Sequence, residues 1–484
     1  MSALKDNTND LTPQPKGENR RAVLKKIAVA GTAAAIAPLV LVGQDKQYKI
    51  VIKGGRVFTQ GALKSLNVGI TYSGKLKLSE APLEGRTVID ASSKIVSPGF
   101  IDILGDNASN PRQTYRLFEK YKISDGVTTV LQMHGGAMFP RKFHQYFDRV
   151  PHYTNYGVSI FVMRLRLRYP MAKRYYYVEQ GLEQGALAVA HSMEYQPDTT
   201  YAEVLQYAKL AKKYDRPLFL HLRYSDEKRE LEGVKEAIRL ARESGGARIH
   251  IDHLHSTGGT FNMEKALEMI QNANNMGLEI TCCVYPYSYW ATYIVSKRFA
   301  PGWRKRFGMT YTDLTVVGTG RKITAQNFPT YRRRHGVLVA VPEGTMPFEK
   351  TIDLALQTDF CMIGSDGGIQ SAPRANNHPR GAGCFATAIR HGMDIGMSFE
   401  KILDKVTTLP ARLMRPSLND RAVLKDGNIA DVTIFDPKTI RGKASVANPN
   451  QFSDGIDTVI VNGEIAYQNK KLLKSKGKPL IYKG

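Results

Sequence analysis

Eight short apolar runs, separated by helical patterns, constrain the fold of this chain more than any other feature. The runs are typical of buried strands, and they end near Asp102, Leu131, Met163, Ala190, His221, His253, Val284 and Asp366. Amphipathic patterns lie between them, most clearly at residues 201–212 and 230–242. Strands that alternate with helices favour a parallel sheet, and eight such units predict an α/β fold closed into a (β/α)8, or TIM, barrel.

Polar residues at the ends of three runs predict where the chemistry lies. Asp366 ends the run that begins at Cys361, and a carboxylate at the mouth of an apolar strand needs a cation, a proton or water to meet it. His221 and His253 end two other runs and are candidates for that partner. Because active sites of such barrels lie at the carboxyl ends of the strands, we expect these three side chains to share one site.

Both ends of the chain carry short strand patterns that the barrel does not use. Residues 46–98 and 416–484 contain alternating runs broken by turn residues, and we expect them to form one small β domain beside a barrel of residues 99–415. The connection at residues 296–348 is rich in Gly, Pro, aromatic residues and Arg. Its length predicts a lid-like insertion.

The N-terminus predicts export. Arg20 and Arg21 precede an alanine-rich apolar run from Ile27 to Gly43, which is the pattern of a twin-arginine signal over residues 1–45. We therefore expect a periplasmic or otherwise exported protein. No Ala-x-Ala site stands before Gln44, so retention of this segment as a membrane anchor remains an open alternative.

Composition excludes some classes of protein. With 42% apolar residues the chain can bury a large core and is not disordered. Its formal charge of +24 is compatible with an acidic substrate, an anionic membrane or cell-wall polymer, or nucleic acid, but no nucleic-acid motif accompanies it and no nucleic-acid partner is expected. Four cysteines are too few for a disulfide framework in a chain of this length.

Eight motifs follow one another along the chain. They are Ser97-Pro-Gly-Phe-Ile-Asp102, Asp125-Gly-Val-Thr-Thr-Val130, Phe219-Leu-His-Leu-Arg223, Ile249-His-Ile-Asp-His253, Tyr285-Pro-Tyr287, Gly364-Ser-Asp-Gly367, His378-Pro-Arg-Gly381 and Asp431-Val-Thr-Ile-Phe-Asp436. This ordered set resembles the amidohydrolase superfamily, and most of all its N-acyl-D-amino-acid deacylases, the D-aminoacylase family. The resemblance extends from about Tyr48 to the C-terminus, and it implies a metal-dependent hydrolase on a barrel with a β-sandwich built from both chain ends.

The resemblance implies roles for the three residues already singled out. His221 and His253 would bind zinc, which lowers the pKa of bound water to about 7 and polarises the scissile carbonyl. Asp366 would be the general base that takes the proton of the zinc-bound water and passes it to the leaving amine.

Two departures from the family pattern change the expected metal centre. Leu104 and Asp106 stand where the superfamily has a His-x-His pair, so half of a two-metal centre is expected to be absent, with Asp106 as a weak oxygen ligand at most. Related deacylases carry a Cys or Glu ligand after the second strand, where this chain has His134. We expect His134 to be the third ligand of a single zinc, the alternative being a loop histidine near the site.

The same resemblance suggests how a small anionic amide would be bound. Arg380 matches a carboxylate-binding arginine, Tyr195 and Tyr285 match tyrosines near that pocket, and His255 stands where deacylases often have a lysine. Arg223 follows His221 by two residues, so in a strand it would point to the same mouth.

Three functions are thus open from the sequence. The first is a zinc amidase for an N-acyl-D-amino acid or a related linear amide. The second is a cyclic-amide hydrolase of the dihydroorotase or hydantoinase kind. The third is a non-catalytic polyanion-binding protein that uses the basic surface of the same fold.

Overall fold

The computed structural model of the chain describes residues 47–105, 111–368 and 377–482. The twin-arginine leader at residues 1–45, the anchor alternative that depends on it, and Asp106 lie outside the described residues. Within the described ranges, no helix combines the length and the apolar character that a membrane crossing requires.

Seven short strands form the N-terminal segment. They are β1 (Tyr48–Lys53), β2 (Arg56–Thr59), β3 (Ala62–Ser65), β4 (Asn67–Ile70), β5 (Leu76–Ser79), β6 (Gly85–Asp90) and β7 (Ile95–Pro98).

Strands and helices alternate through the next part of the chain. The strands are β8 (Phe100–Asp102), β9 (Val127–Ala137), β10 (Asn155–Phe161), β11 (Val189–Ser192), β12 (Leu218–His221), β13 (Ile249–Ile251) and β14 (Ile280–Val284). The helices are α1 (Pro111–Ser124), α2 (Pro140–Phe147), α3 (Val162–Arg166), α4 (Met171–Glu183), α5 (Tyr201–Lys213), α6 (Glu230–Glu243) and α7 (Met263–Asn275).

After β14 the chain leaves the barrel and forms an insertion of its own. Its elements are β15 (Ala291–Tyr293), α8 (Trp303–Phe307), β16 (Thr315–Val316), β17 (Arg321–Lys322), α9 (Phe328–Tyr331) and β18 (Leu338–Ala340). The strands make an antiparallel sheet in the order β15-β18-β16-β17. The insertion, residues 291–340, therefore begins earlier than residue 296, because the short run Ala291–Tyr293 pairs with β18 and not with the barrel.

The chain then completes the barrel and returns to the small domain. The elements are α10 (Ile352–Gln357), β19 (Cys361–Ile363), α11 (Arg380–Asp394), α12 (Phe399–Val406), α13 (Thr408–Leu413), β20 (Val432–Phe435), β21 (Ile456–Val461), β22 (Glu464–Gln468) and β23 (Lys471–Leu472).

The two clearest helical patterns are α5 and α6. The side chain of Thr200 caps α5 by accepting a hydrogen bond from the backbone N–H of Glu203. Val204, Ala208 and Ala211 lie on one face at helical spacing and are fully buried. The apolar period thus sets which face of each helix packs against the strands.

The predicted eight-stranded barrel is confirmed. Its strands are parallel neighbours in the order β8-β9-β10-β11-β12-β13-β14-β19. A parallel bridge between Gly105 and Gly367 joins the first strand to the last just beyond their carboxyl ends. All eight strands therefore deliver their carboxyl ends to one mouth.

The β-sandwich predicted from the two chain ends is also confirmed. Strand β7 pairs with β2 on one side and with β20 on the other, so N-terminal and C-terminal strands share one seven-stranded sheet. The four-stranded sheet β5-β4-β1-β6 packs against it. Ile50, Val68, Val432 and Ile460 belong to the apolar core between the two sheets.

A buried ion pair holds the first and last barrel strands together. The Lys122 ammonium lies 2.8 Å from the Asp102 carboxylate, and both side chains are fully buried. Lys122 also donates to the Ser365 hydroxyl, while the Ser365 N–H donates to Asp102 over 3.0 Å. Since Ser365 precedes Asp366, this cluster fixes where the chain leaves β19 for the barrel mouth.

Replacing Lys122 with methionine tests the importance of this cluster. Lys122→Met leaves the Asp102 carboxylate buried without its cation, and we expect a loss of about 3–5 kcal/mol in the free energy of unfolding. The measurement is thermal unfolding followed by circular dichroism. Lys120→Met, on the same helix at a half-buried position, should leave the unfolding temperature nearly unchanged. Equal effects of the two substitutions would contradict the importance of the ion pair.

Candidate metal centre and substrate cavity

Three histidines meet at the mouth of the barrel. His221 is the last residue of β12, His253 follows β13 by two residues, and His134 lies near the end of β9. One ring nitrogen of each lies within 4.8 Å of those of the other two. The structure therefore brings together the three histidines that the sequence predicted as ligands.

His134 reaches the mouth because β9 is irregular beyond its paired part. The pairing of β9 with β10 shifts register between Gln132 and Ala137. Gly136 has φ of +87°, and a Cβ there would approach the Ser159 carbonyl oxygen to 2.4 Å. Glycine permits this bend, which keeps His134 inside the site.

His221 is oriented by a buried carboxylate. Its Nε2 lies 2.7 Å from Glu194. Although burial opposes ionisation of Glu194, Arg298 and His221 hold its pKa at about 2. An ionised carboxylate only accepts hydrogen bonds, so Nε2 is the donor. Burial lowers the pKa of His221, and the neutral ring then carries its lone pair on Nδ1.

His253 presents its own lone pair to the same point. The Ser256 hydroxyl donates to the His253 carbonyl and lies 2.9 Å from Nδ1, which favours the tautomer that donates from Nδ1. Its Nε2 is then an acceptor only 3.2 Å from Nδ1 of His221. Burial and the neighbouring His221 and His134 keep the pKa of His253 well below 6.5, so the two neutral rings face each other with lone pairs.

His134 completes the arrangement through Asp252. Its Nδ1 lies 2.9 Å from the Asp252 carboxylate, which leaves Nε2 directed to the common point. Burial raises the pKa of Asp252 to about 6, and the hydrogen bond from His134 opposes that rise. A carboxylate behind a ligating imidazole is the usual way in which proteins orient such a ligand.

These three nitrogens suit a divalent cation. Lone pairs at 3.2 Å repel one another unless a positive centre lies between them. Zn–N distances of about 2.0–2.1 Å in a tetrahedron place two ligand nitrogens at about this separation. Three imidazoles with an open fourth position form a donor set that accepts zinc and similar ions.

Asp366 stands over the three histidines. Its carboxylate oxygens lie 3.6 Å from Nε2 of His253 and 3.9 Å from Nε2 of His134. The residue has φ of +46°, and the next residue, Gly367, is so close to α11 that a Cβ would meet the Gly381 Cα at 2.6 Å. The tight turn after β19 therefore directs the carboxylate across the barrel mouth.

Arg380 contacts Asp366 at two points. One guanidinium nitrogen lies 2.5 Å from the carboxylate, and Nε donates to the Asp366 carbonyl over 2.8 Å. The guanidinium also lies over the ring of Tyr285, 4.4 Å from its centroid. Arg380 is thus the cation next to the candidate base, at the start of α11.

A cavity of about 300 Å³ opens beside these residues. His134, Asp366 and Arg380 form one side, and Tyr195 lies in the wall with its ring 4.8 Å from that of His221. The insertion also contributes to the lining, with side chains that are largely apolar or neutral: Ala291, Thr292, Tyr293, Val295 and Leu338. The cavity is therefore lined both by the candidate site residues and by the insertion.

Two predicted substrate residues lie next to this cavity but outside its lining. Tyr285 lies between Arg380 and His255, whose ring centroid is 4.1 Å from that of Tyr285. His255 is fully buried, and burial holds its pKa well below 6.5. It therefore supplies no positive charge where deacylases often have a lysine.

The structure does not bring Arg223 to the cavity. Its guanidinium donates to Glu236 over 2.7 and 2.9 Å and to the carbonyl oxygen of Thr199 over 2.8 Å. The strand alternation used to predict its direction fails because β12 ends at His221, two residues earlier. Arg223 instead joins the loop after β12 to α6.

The end of β8 departs from the superfamily as the sequence indicated. Leu104 is fully buried in an apolar cluster and bridges to Gln132, so the position holds a packing residue in place of an imidazole. Asp106 lies outside the described residues.

Sequence reasoning missed the partners of the histidines. Asp252 follows β13 and stands directly before His253. Glu194 lies two residues after β11 and directly before Tyr195. Both are polar residues at the carboxyl ends of barrel strands, which is the position that identified the histidines. Arg298, the partner of Glu194, lies in the insertion and has no local signal of this kind.

Comparisons with known proteins agree with this architecture. Residues 95–466 match the model of the Amidohydrolase family. N-acyl-D-glutamate deacylase from Alcaligenes xylosoxydans xylosoxydans is 25% identical over 476 residues, which cover 87% of this chain and 93% of that protein.

Two solved structures share the fold. One is N-acyl-D-glutamate deacylase from Bordetella bronchiseptica, complexed with zinc and a phosphonate mimic of the tetrahedral intermediate, with a TM-score of 0.77 and 24% identity. The other is a D-aminoacylase, with a TM-score of 0.73 and 20% identity. Each comparison covers 90% of this chain and 100% of the other, so barrel and sandwich are shared together.

The facing lone pairs predict that a divalent cation stabilises the folded protein. Removing metal with a chelator should lower the unfolding temperature, and adding zinc should restore it. When free zinc is about 100-fold above its dissociation constant, binding should raise the free energy of unfolding by about 2.7 kcal/mol. His134→Ala should abolish most of this response. His335→Ala, an exposed histidine of the insertion, is the matched control and should retain it. An unfolding temperature that changes with neither chelator nor zinc would contradict a metal centre at this site.

Proposed function

The chain belongs to the amidohydrolase family, as its ordered motifs predict, and on this premise we propose that it removes the acyl group from an N-acyl-D-amino acid with one zinc ion. The family and its deacylase relatives identify it as a hydrolase of carbon–nitrogen bonds other than peptide bonds. The relatives named above act on N-acyl-D-glutamate and related N-acyl-D-amino acids, which supports a small anionic amide as substrate.

One observation carries the proposal. The three imidazole nitrogens converge within 4.8 Å, and the Asp366 carboxylate stands 3.6 and 3.9 Å from two of them. Each ring has one nitrogen on a buried partner and the other directed to a common point, and the Asp366 carboxylate lies beside that point. A cation with one open position, next to a base, is the arrangement that hydrolysis requires.

The residues present would hold a single ion. His134, His221 and His253 are its ligands, and Leu104 leaves the β8 side without an imidazole for a second. When bound, zinc supplies Lewis-acid activation of water and of the scissile carbonyl.

Asp366 then moves the proton. It takes a proton from the attacking water and passes it to the nitrogen of the leaving amine, which departs as the free amino acid. In the structure Arg380 is paired with Asp366, and a substrate carboxylate competes for that guanidinium. Binding of the anionic substrate therefore loosens the ion pair and makes Asp366 a better base.

The cavity accounts for the remainder of the substrate. The α-carboxylate lies at Arg380, whose guanidinium is supported by the ring of Tyr285. Tyr195 donates from the wall next to His221, and burial raises the pKa of its hydroxyl to about 12, so it stays protonated. The insertion wall at Ala291, Val295 and Leu338 receives the apolar part of the substrate.

The first test is Asp366→Asn. The amide cannot accept the proton, so we expect turnover of N-acyl-D-amino acids to fall by about 10²–10⁴-fold while about one zinc per chain is retained. Turnover and elemental analysis on the same preparation separate the two effects. Asp426→Asn, in an exposed ion pair of the sandwich, should keep full turnover. Near-normal turnover of Asp366→Asn would remove the general-base assignment.

A substrate panel with Arg380→Met tests the carboxylate site. A hydrogen-bonded ion pair contributes about 1.5–3 kcal/mol, so kcat/KM for an N-acyl-D-amino acid should fall by about 10- to 100-fold. The C-terminal amide of the same substrate has no carboxylate for Arg380, so its kcat/KM should fall less, by the part of the effect that comes from the loss of the Asp366 partner alone. Arg390→Met, on the same helix with its guanidinium on backbone carbonyl oxygens, is the control.

The same panel distinguishes the competing activities. It includes the L-enantiomers, dihydroorotate and hydantoins. Hydrolysis of a cyclic amide, with linear substrates untouched, would replace the proposed function with the cyclic-amide alternative.

A further inference from the structure

One arginine of the insertion reaches the partners of two metal-ligating histidines. Arg298 lies in a 3-10 turn of residues Lys297–Phe299, and its side chain is only 4% exposed. Nε and Nη2 donate to Glu194 over 3.1 and 3.0 Å. Nη2 also donates to the carbonyl oxygen of Ser256 over 2.9 Å.

Glu194 and Ser256 each also contact one histidine. Glu194 accepts from Nε2 of His221, and the Ser256 hydroxyl lies on Nδ1 of His253. Two chains of contacts therefore lead from Arg298 to the outer nitrogens of His221 and His253, on the side of each ring away from the centre.

The electrostatics make Arg298 essential to the first chain of contacts. Glu194 has three partners among the described residues: Arg298, His221 and the hydroxyl of Ser225. Arg298 is the permanently charged cation among them, and its guanidinium lies 3.0 Å from the carboxylate. An unpaired buried charge costs about 3–5 kcal/mol. Without Arg298, the Glu194 carboxylate is therefore expected to shift towards another cation or a water molecule.

We propose that Arg298 is a positioning residue, which docks the insertion on Glu194 and Ser256 and thereby sets the tautomer and direction of the His221 and His253 rings for metal binding. This inference rests on the metal-binding role proposed above for those histidines. It makes the insertion, which supplies no ligand from its described residues, part of the metal centre.

A purely structural ion pair predicts a different outcome. If Arg298 only attached the insertion to the barrel, its loss would lower stability and leave the affinity for metal unchanged. The discriminating measurement is therefore the dissociation constant for the metal itself, on folded protein.

The central experiment titrates chelator-treated protein with zinc against a chromophoric competitor. Loss of a residue that orients a ligand typically weakens metal binding by 10- to 100-fold, and we expect a change of about this size for Arg298→Met. Arg298→Lys keeps the charge but not the two-point contact, and should give a smaller loss. Circular dichroism confirms that each variant is folded at the titration temperature.

Arg332→Met is the matched control. Arg332 also belongs to the insertion, and its guanidinium donates to the carbonyl oxygens of Ile294 and Ser296 within the insertion. Its loss weakens the insertion without touching Glu194, so zinc affinity should stay near that of the wild type. An equal loss for Arg332→Met and Arg298→Met would overturn the specific role of Arg298.

A double-variant cycle tests whether Arg298 acts through Glu194. Arg298→Met should reduce zinc affinity less in a Glu194→Gln background than in the wild type, because the charge pair between Arg298 and Glu194 is already absent there. The double variant also removes both charges together, which avoids an unpaired buried carboxylate if Arg298→Met alone does not fold. Identical costs in both backgrounds would overturn the route through Glu194.

A spectroscopic readout reports geometry independently of activity. With Co²⁺ in place of zinc, the visible absorption of Arg298→Met should shift or weaken relative to the wild type, as the ligand field is distorted. If the wild type binds metal and Arg298→Met binds it equally tightly with the same spectrum, this inference fails and the proposed function stands. If the wild type binds no metal, the proposed function fails, and with it the inference.

Discussion

The lone pairs of His134, His221 and His253 face one another because each ring has its other nitrogen committed to a buried partner. Asp252, Glu194 and Ser256 hold the outer nitrogens, at 2.9, 2.7 and 2.9 Å. The rings cannot turn away from their mutual repulsion without breaking a buried hydrogen bond. The arrangement is therefore preorganised for a cation, and the surrounding structure serves to maintain it.

Two features of the barrel place the Asp366 carboxylate, the candidate base, next to that centre. The buried pair of Lys122 and Asp102 ties β8 to Ser365, and the chain then turns sharply at Asp366 and Gly367 against α11. The same closure that makes the barrel continuous thus determines the position of Asp366. The buried ion pair that stabilises the barrel therefore contacts the residue directly before the candidate base.

The insertion connects specificity with the metal centre. Its strand β15 and the residues after it line the cavity, and a few residues later Arg298 reaches Glu194 and Ser256. A substrate that contacts the cavity wall is therefore close to the segment that braces the imidazoles. Substitutions in the insertion can therefore alter both the choice of substrate and the affinity for the metal.

The sequence by itself determined the eight-stranded barrel, the shared β-sandwich and the residues that end the strands, including His221, His253 and Asp366. Periodicity reports which residues of a single element are buried, so the strands and helices could be inferred without coordinates. Because the carboxyl ends of parallel strands meet at one mouth, the shared position of the strand-end residues could be inferred as well. His134 was predicted from its place after the second strand. Its inward direction depends on the irregular end of β9.

Only the tertiary structure decided the partners of these residues. Arg223 turns to Glu236 in place of the cavity, and Arg298 meets Glu194, which lies 104 residues away in the chain. Such a pairing depends on where an irregular insertion folds back, and no period or local motif encodes it. Local pattern specifies elements and their buried faces, whereas long-range electrostatic pairing is specified only once those elements are packed.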